Sequence, residues 1–226
     1  MQLLYLAFFY LIGSIPVAWL VARLAGKGDI RQWGSGNAGV MNVALNVSRA
    51  AAIVVMAAET AKGVLTVLLA QYWQLSDTMV GLCVVAAVAG TCWPVWLKGR
   101  GGRGTTLGVA AMLLLAWPAV LIGVLVWVIA RLLTHSSFWA TRLWLVSLPI
   151  SLGLVTQSWS YALMGALLAL LYISAHKTET DDHTILKEKW PSLWAFLTAP
   201  RRSKEPVKGE VSESLLHPDA QEVNNG

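Results

Sequence analysis

Four stretches of this chain contain no Asp, Glu, Lys or Arg: residues 1–22, 78–97, 104–130 and 143–175. Apolar runs of about 18 residues or more read as membrane spans. Four in one chain imply an all-α, polytopic integral membrane protein. Composition agrees, with 56% hydrophobic and 13% charged residues, where a soluble domain has about 25% charged. The first run has no basic n-region, too long an apolar core and no A-x-A-like site before Arg23, so a cleavable signal peptide is not expected. Cys83 and Cys92 share one apolar segment and are poor candidates for a disulfide or a zinc site. They read as small apolar side chains.

Candidate spans are roughly 2–23, 50–70 and 78–97, with the remaining apolar sequence in 104–130 and 143–175. A helix over 143–175 would run roughly 50 Å at 1.5 Å per residue, well beyond a hydrocarbon core of about 30 Å. Thr156–Ser160 (TQSWS) suits a turn between two short crossings. The block 104–130 is either one tilted span or two short ones broken near Pro118. Charge decides between them. Arg23, Lys27 and Arg31 follow the first span, Lys98, Arg100 and Arg103 the third, and Arg131 and Arg142 the ambiguous block. Lys177, Lys187, Lys189, Arg201 and Arg202 follow the last, while QYWQLSDT and TQSWS hold no Lys or Arg. Two crossings in 104–130 put every basic loop on one face, as the positive-inside rule requires. The expectation is about seven short transmembrane helices, N-terminus outside and C-terminus cytoplasmic. Residues 1–176 form the membrane domain and 177–226 a cytoplasmic polar tail. Leu186–Phe196 (LKEKWPSLWAF) suits the membrane surface, and disorder is expected beyond about 203.

The polar residues then collect on the cytoplasmic side. Gly34–Asn42 reads GSGNAGVMN. Its Gly34-x-Gly36-x-x-Gly39 spacing matches the dinucleotide fingerprint only formally, because no strand precedes it. Glycines let successive backbone N–H groups converge on an anion, and Ser35, Asn37 and Asn42 add neutral donors; a plain glycine-rich turn between helices is the other reading. Lys98–Thr106 reads KGRGGRGTT. Its basic residues and its glycines Gly101, Gly102 and Gly104 lead into a helix start at Thr105, which suits a phosphate cradle. A juxtamembrane loop on anionic headgroups is the alternative. Ser147 lies in a late span and His176 at the cytoplasmic end of the last one. Glu59 and Lys62, three apart, share one helix face and form either a structural ion pair or a functional site.

In order and spacing these segments resemble the bacterial inner-membrane, acyl-phosphate-dependent glycerol-3-phosphate acyltransferase family. GSIP at Gly13–Pro16 resembles the family's opening, GSGNAGVMN its GSGN-x-GATN, ETAKG at Glu59–Gly63 its D-x-x-K-G, and PVWLKGRGGRG its KFKGGKG loop. Ser147 and His176 match its late serine and its closing H-R-x-N. The resemblance covers about 1–177. It implies seven membrane segments with a cytoplasm-facing site. The implied reaction moves a fatty acyl group from acyl phosphate to the 1-hydroxyl of glycerol 3-phosphate, giving lysophosphatidate and phosphate without metal, cofactor or acyl-enzyme. By position, Ser35, Asn37, Arg103, Ser147 and His176 take the catalytic places. Gly34, Gly36, Gly39, Asn42, Arg49, Lys62, Lys98, Gly101, Gly102, Gly104 and Thr105 take the phosphate- and substrate-binding ones. Acyl phosphate, glycerol 3-phosphate and membrane lipid are the implied partners.

The chain also departs from the pattern. Leu45 stands where the family has an arginine, with Arg49 one turn on. Met41 replaces the motif threonine, Gly90–Pro94 (GTCWP) lacks the histidine of G-H-x-F-P, and Glu179 replaces the final asparagine, where an anion would repel phosphate. The alternative is therefore an impaired member that binds or transports an anionic lipid or organic phosphate. His176-x4-Asp181 has the spacing of acyl-thioester-dependent acyltransferases without their other blocks. Nucleic acid is not an expected partner, because the net charge of +5 is spread over the loops as topology requires.

Overall fold

The structure, a computed structural model, describes residues 1–175, 186, 190 and 193–198. Among them the regular elements are all helical: α1 Gln2–Ser14, α2 Val17–Leu24, α3 Val40–Asn46, α4 Arg49–Tyr72, α5 Asp77–Cys92, α6 Thr105–Thr134, α7 Ser137–Thr156, α8 Trp159–Ala175 and α9 Leu193–Thr198. Single 3-10 turns lie at Ile30–Gln32 and Val95–Leu97. Five segments are long and apolar enough to cross a membrane: Gln2–Leu24, Arg49–Tyr72, Asp77–Leu97, Thr105–Thr134 and Trp139–Thr156; Trp159–Ala175 is a shorter apolar helix. The expectation of a disordered end beyond about 203 falls outside the described residues.

Helix starts follow local chemistry. The Ser48 hydroxyl accepts from the Ala51 N–H at 3.0 Å, and Ser76 opens α5 ahead of Asp77; both satisfy a first-turn donor that has no partner within the helix. The first span, expected as one helix, is two. The chain leaves helical geometry at Ile15 and Pro16, since proline lacks the N–H that would continue the ladder. Lys62 of α4 fills the break: its ammonium donates to the carbonyls of Gly13 and Ile15, each at 3.1 Å. The Thr91 hydroxyl of α5 also donates to Gly13 at 3.1 Å.

Many large apolar side chains turn outward, and small residues share the interior with Phe9, Leu107, Met112, Leu148 and Leu168. Leu3, Ile53, Leu121, Leu125, Leu154 and Leu170 are exposed, whereas Ala70, Cys83, Ala87, Ala111 and Ala119 are buried. This suits a lipid surround, where close approach of small residues replaces hydrophobic driving force. Gly63 is the tightest α4–α6 contact: a Cβ there would overlap the Leu107 carbonyl and come within 3.1 Å of Ala110 Cβ.

In α6 one residue is non-helical, Ala116 (φ −157°, ψ 65°), two residues before Pro118. Along a straight helix Gly108 and Gly123 would be about 22 Å apart. Instead they flank one ring pair, Trp144 and Tyr172, stacked at 6.1 Å and 19°. Gly108 abuts the Tyr172 hydroxyl, and a Cβ on Gly123 would lie 2.7 Å from Trp144 Nε1. Trp127 Nε1 donates to Thr141 Oγ1 at 3.3 Å. The segment therefore folds back at Ala116, and its two arms lie beside the same end of α7 and α8. The TQSWS turn is where it is expected, with α7 ending at Thr156 and α8 starting at Trp159.

Candidate active site

The two glycine-rich loops meet at the N-terminus of α6. Arg31 ties them together. Its Nε and Nη2 hold the Asp29 carboxylate, with the shortest contact at 2.6 Å, and Nη1 donates to the carbonyls of Leu97 at 3.1 Å and Arg100 at 3.3 Å. This hydrogen-bonded pairing holds the Asp29 carboxyl below its ordinary range and the Arg31 guanidinium above its own. Asn42 organises the first loop from inside. It is fully buried; its amide N–H groups share the carbonyls of Ile30, Trp33 and Asn37 at 3.2, 2.9 and 2.8 Å. Its carbonyl oxygen accepts from Asn46 Nδ2 at 2.7 Å. Gly34 and Gly36 turn the loop with φ of +56° and +70°, a region side chains with a Cβ resist. The Ser35 hydroxyl accepts from the Asn37 N–H at 3.4 Å.

Behind this junction lies a cavity of about 470 Å³, within the range of small-molecule sites. Asn37, Gly39, Gly102, Arg103, Gly104 and Thr105, all singled out in the sequence, lie in its wall. The first-turn N–H groups of α6 have no partner within the helix and make its entrance electropositive. Deeper in, the wall turns apolar, with Val109, Val120, Val124, Trp127, Trp144 and Tyr172. Glu59, Thr91 and Thr106 complete the polar end. Such a chamber offers an anionic head a donor-rich rim and an alkyl tail a greasy floor.

Other predicted residues are placed elsewhere. Gly34, Ser35, Gly36 and Asn42 shape the loop that carries Asn37 but are not in the wall. Lys98 is exposed in a left-handed turn (φ 54°). Gly101 packs on the Thr91 carbonyl and the Pro94 ring, and its N–H donates to the Cys92 carbonyl at 3.1 Å. Lys62 spends its three N–H groups on Gly13, Ile15 and the Glu59 Oε1 at 2.7 Å. Arg49 donates to the Phe196 carbonyl at 3.0 Å and lies 5.8 Å from that ring's centroid. Ser147 donates to the Trp144 carbonyl at 2.7 Å, a back-bond along its own helix. His176, Glu179 and the His176–Asp181 pair lie outside the described residues. Cys83 and Cys92 are free and buried.

Sequence reasoning alone misses Thr141 and the aromatic wall, because apolar or hydroxyl positions inside an apolar run look alike. It reads Thr91 only as a missing histidine, although Thr91 reaches both the wall and the break in α1. Arg31 counts in the sequence only as loop charge; its Asp-x-Arg spacing is the one local sign of its pairing.

Comparison with known proteins places the geometry in context. The family model described as Glycerol-3-phosphate acyltransferase matches residues 3–184. A protein of that name from Synechococcus sp. (strain CC9902) is 36% identical over 184 residues, covering 80% of this chain and 90% of its own. One from Pseudomonas savastanoi pv. phaseolicola is 34% identical over 176 residues, covering 77% and 90%. Among solved structures, the glycerol 3-phosphate form of PlsY, an integral membrane glycerol 3-phosphate acyltransferase, superposes with a TM-score of 0.67 at 22% identity. It covers 83% of this chain and 92% of that one, a likeness of fold. With the family model spanning most of its length and relatives above 30% identity along nearly all of theirs, this chain belongs to the glycerol-3-phosphate acyltransferase family.

Proposed function

We propose that this protein transfers a fatty acyl group from acyl phosphate to the 1-hydroxyl of glycerol 3-phosphate, releasing lysophosphatidate and inorganic phosphate. The observation that carries this reading is the two-ended cavity. Asn37, Arg103 and the α6 N-terminus form a donor-bearing rim, suited to phosphate, on an apolar chamber of tryptophan, tyrosine and valine side chains. An acyl phosphate has that same division. Family membership and the named activity of the relatives point the same way.

The chemistry needs little beyond placement. The 1-hydroxyl oxygen attacks the acyl carbonyl carbon, the bond from that carbon to the phosphate oxygen breaks with its electron pair on phosphate, and the hydroxyl proton ends on the departing phosphate. Because the donor is already activated, the protein contributes proximity and charge stabilisation. Arg103 suits the second role, since a guanidinium grips two phosphate oxygens at once. Ser35 acts through the loop it shares with Asn37. Ser147 lies one turn from Trp144 in the wall, and His176 follows directly on α8.

Seven crossings, with the site on the cytoplasmic face of a bacterial inner membrane, complete the reading. The fold-back of α6 at Ala116 supports the count, and the clustering of the loops bearing Arg31, Lys98 and Arg103 supports the orientation. Residues 1–176 then form the membrane unit and 177–226 a cytoplasmic extension, part of which returns to Arg49 through Phe196.

The test is phosphate release by the purified protein in lipid, given acyl phosphate and glycerol 3-phosphate. Release should require both substrates and fall about 10²-fold or more in Arg103→Ala, with a smaller loss in Ser35→Ala. Binding of either substrate without release would instead make the chain a binder of organic phosphates.

A further inference from the structure

Two buried polar atoms of the cavity wall have no hydrogen-bond partner among the described residues, Glu59 Oε2 and the Tyr172 hydroxyl, and of the two the carboxylate belongs to the polar end. Glu59 is 8% exposed. Its Oε1 is 2.7 Å from Lys62 Nζ, while its buried Oε2 has no hydrogen-bond partner among the described residues. A buried acceptor left unpaired is costly, so an unfilled one on a cavity wall points to a ligand donor. Glu59 is also the only acidic residue in the wall among the described residues. Placed there alone, a carboxylate would repel phosphate. Lys62 removes that objection, because the contact makes the pair formally neutral and leaves Oε2 as an acceptor without net charge behind it.

Resting on the acyl-transfer reading, we infer that Glu59 recognises the 2-hydroxyl of glycerol 3-phosphate by accepting its hydrogen bond on Oε2. The acceptor substrate brings three polar groups into the chamber. Its phosphate, a second anion besides the donor's own on the rim, is left to the basic loop from Lys98 to Arg103 that borders it. Its 1-hydroxyl is the nucleophile, and the proton of that group leaves with phosphate. The 2-hydroxyl alone keeps its proton throughout the reaction and still needs an acceptor once water is excluded. Glu59 lines the polar end of the cavity together with Gly102 and Thr91, within the same chamber as the rim. Lys62 is a positioning residue in this arrangement: it fixes the carboxylate from behind and anchors it to the broken α1. Selectivity of this kind is strong, because a buried hydrogen-bonding group discriminates against a ligand that lacks its partner.

The experiment compares glycerol 3-phosphate with 3-hydroxypropyl phosphate, the same acceptor without its 2-hydroxyl, in phosphate-release assays of the whole protein in lipid. The unmutated protein should favour glycerol 3-phosphate by about 10- to 100-fold in kcat/KM, the range expected for a hydrogen bond to a charged group. In Glu59→Ala, which removes the acceptor, that ratio should collapse toward one, and Glu59→Asp should give an intermediate ratio. Equal loss with both acceptors, leaving the ratio intact, would mean that Glu59 is only structural and would overturn the inference. If the variants do not fold, difference infrared spectra of unmutated protein with ¹³C-labelled glutamate decide the question. Glycerol 3-phosphate should shift a carboxylate band that 3-hydroxypropyl phosphate leaves in place, and identical spectra would overturn the inference. Release with neither acceptor would defeat the acyl-transfer reading itself, a different outcome from an unchanged ratio.

Discussion

Arg31 shows how much one side chain does at the junction of the loops. Its planar fork spans Asp29 on one side and the Leu97 and Arg100 carbonyls on the other, a geometry an ammonium cannot copy. Arg31→Ala and Arg31→Lys should both lower kcat/KM by about 10-fold or more, the lysine variant recovering little, because a small displacement of positioning groups costs rate. Steady-state phosphate release checks this. The sign of the Asp29 shift says when the tie fails. A carboxyl held below its ordinary range keeps its contribution at every pH above that range and loses it only as the pH falls through the lowered value, so neutral and mildly acidic buffers leave the tie intact. At this scale the sequence is readable only in part. Asn37 and Arg103 are identifiable from the glycine and hydroxyl residues around them, and Glu59 with Lys62 from i,i+3 spacing. That Lys62 also serves Gly13 and Ile15 is not, because those carbonyls lie 49 and 47 residues away and become acceptors only where Pro16 breaks the helix.

Among the elements, α6 breaks where the sequence offers a cause: the chain leaves helical geometry at Ala116, two residues before the proline that disrupts the ladder. Short α3 is not foretold: Val40–Asn46 sits within a segment that reads as loop, and it is held by buried Asn42 and Asn46 together with Val43, which is fully buried in a small apolar cluster. The packing of α4 on α6 depends on Gly63, since any Cβ there meets the Leu107 backbone. Gly63→Val should therefore cost about 1–3 kcal/mol of stability through overpacking, seen as a lower midpoint in detergent thermal unfolding. It should also reduce activity more than its distance from the cavity suggests, because Leu107 is in the first turn of the helix that starts at Thr105.

For the molecule as a whole, the absence of charge in four long stretches is enough to read the class, an all-helical membrane protein, while the aromatic interior stays hidden because inward and outward faces of a membrane helix are equally apolar. Orientation is open to direct measurement, and the protein is suited to it: Cys83 and Cys92 are 0% and 4% exposed, so the parent should react little with a membrane-impermeant maleimide. Gln74→Cys should be labelled on intact cells, whereas Lys27→Cys and Lys98→Cys should be labelled only after the membrane is opened; the reverse pattern would invert the proposed topology. The break in α1 has a consequence for how such a chain is made. At 13 residues, α1 is about 20 Å long, so the span Gln2–Leu24 carries its break within the apolar layer, where carbonyls left unpaired would each cost several kcal/mol. Their main partner, Lys62, emerges from the ribosome only with the next long helix. The first span is therefore less secure in the bilayer until α4 joins it, and a chain truncated before Lys62 should be extracted from membranes more readily than one that ends after Tyr72.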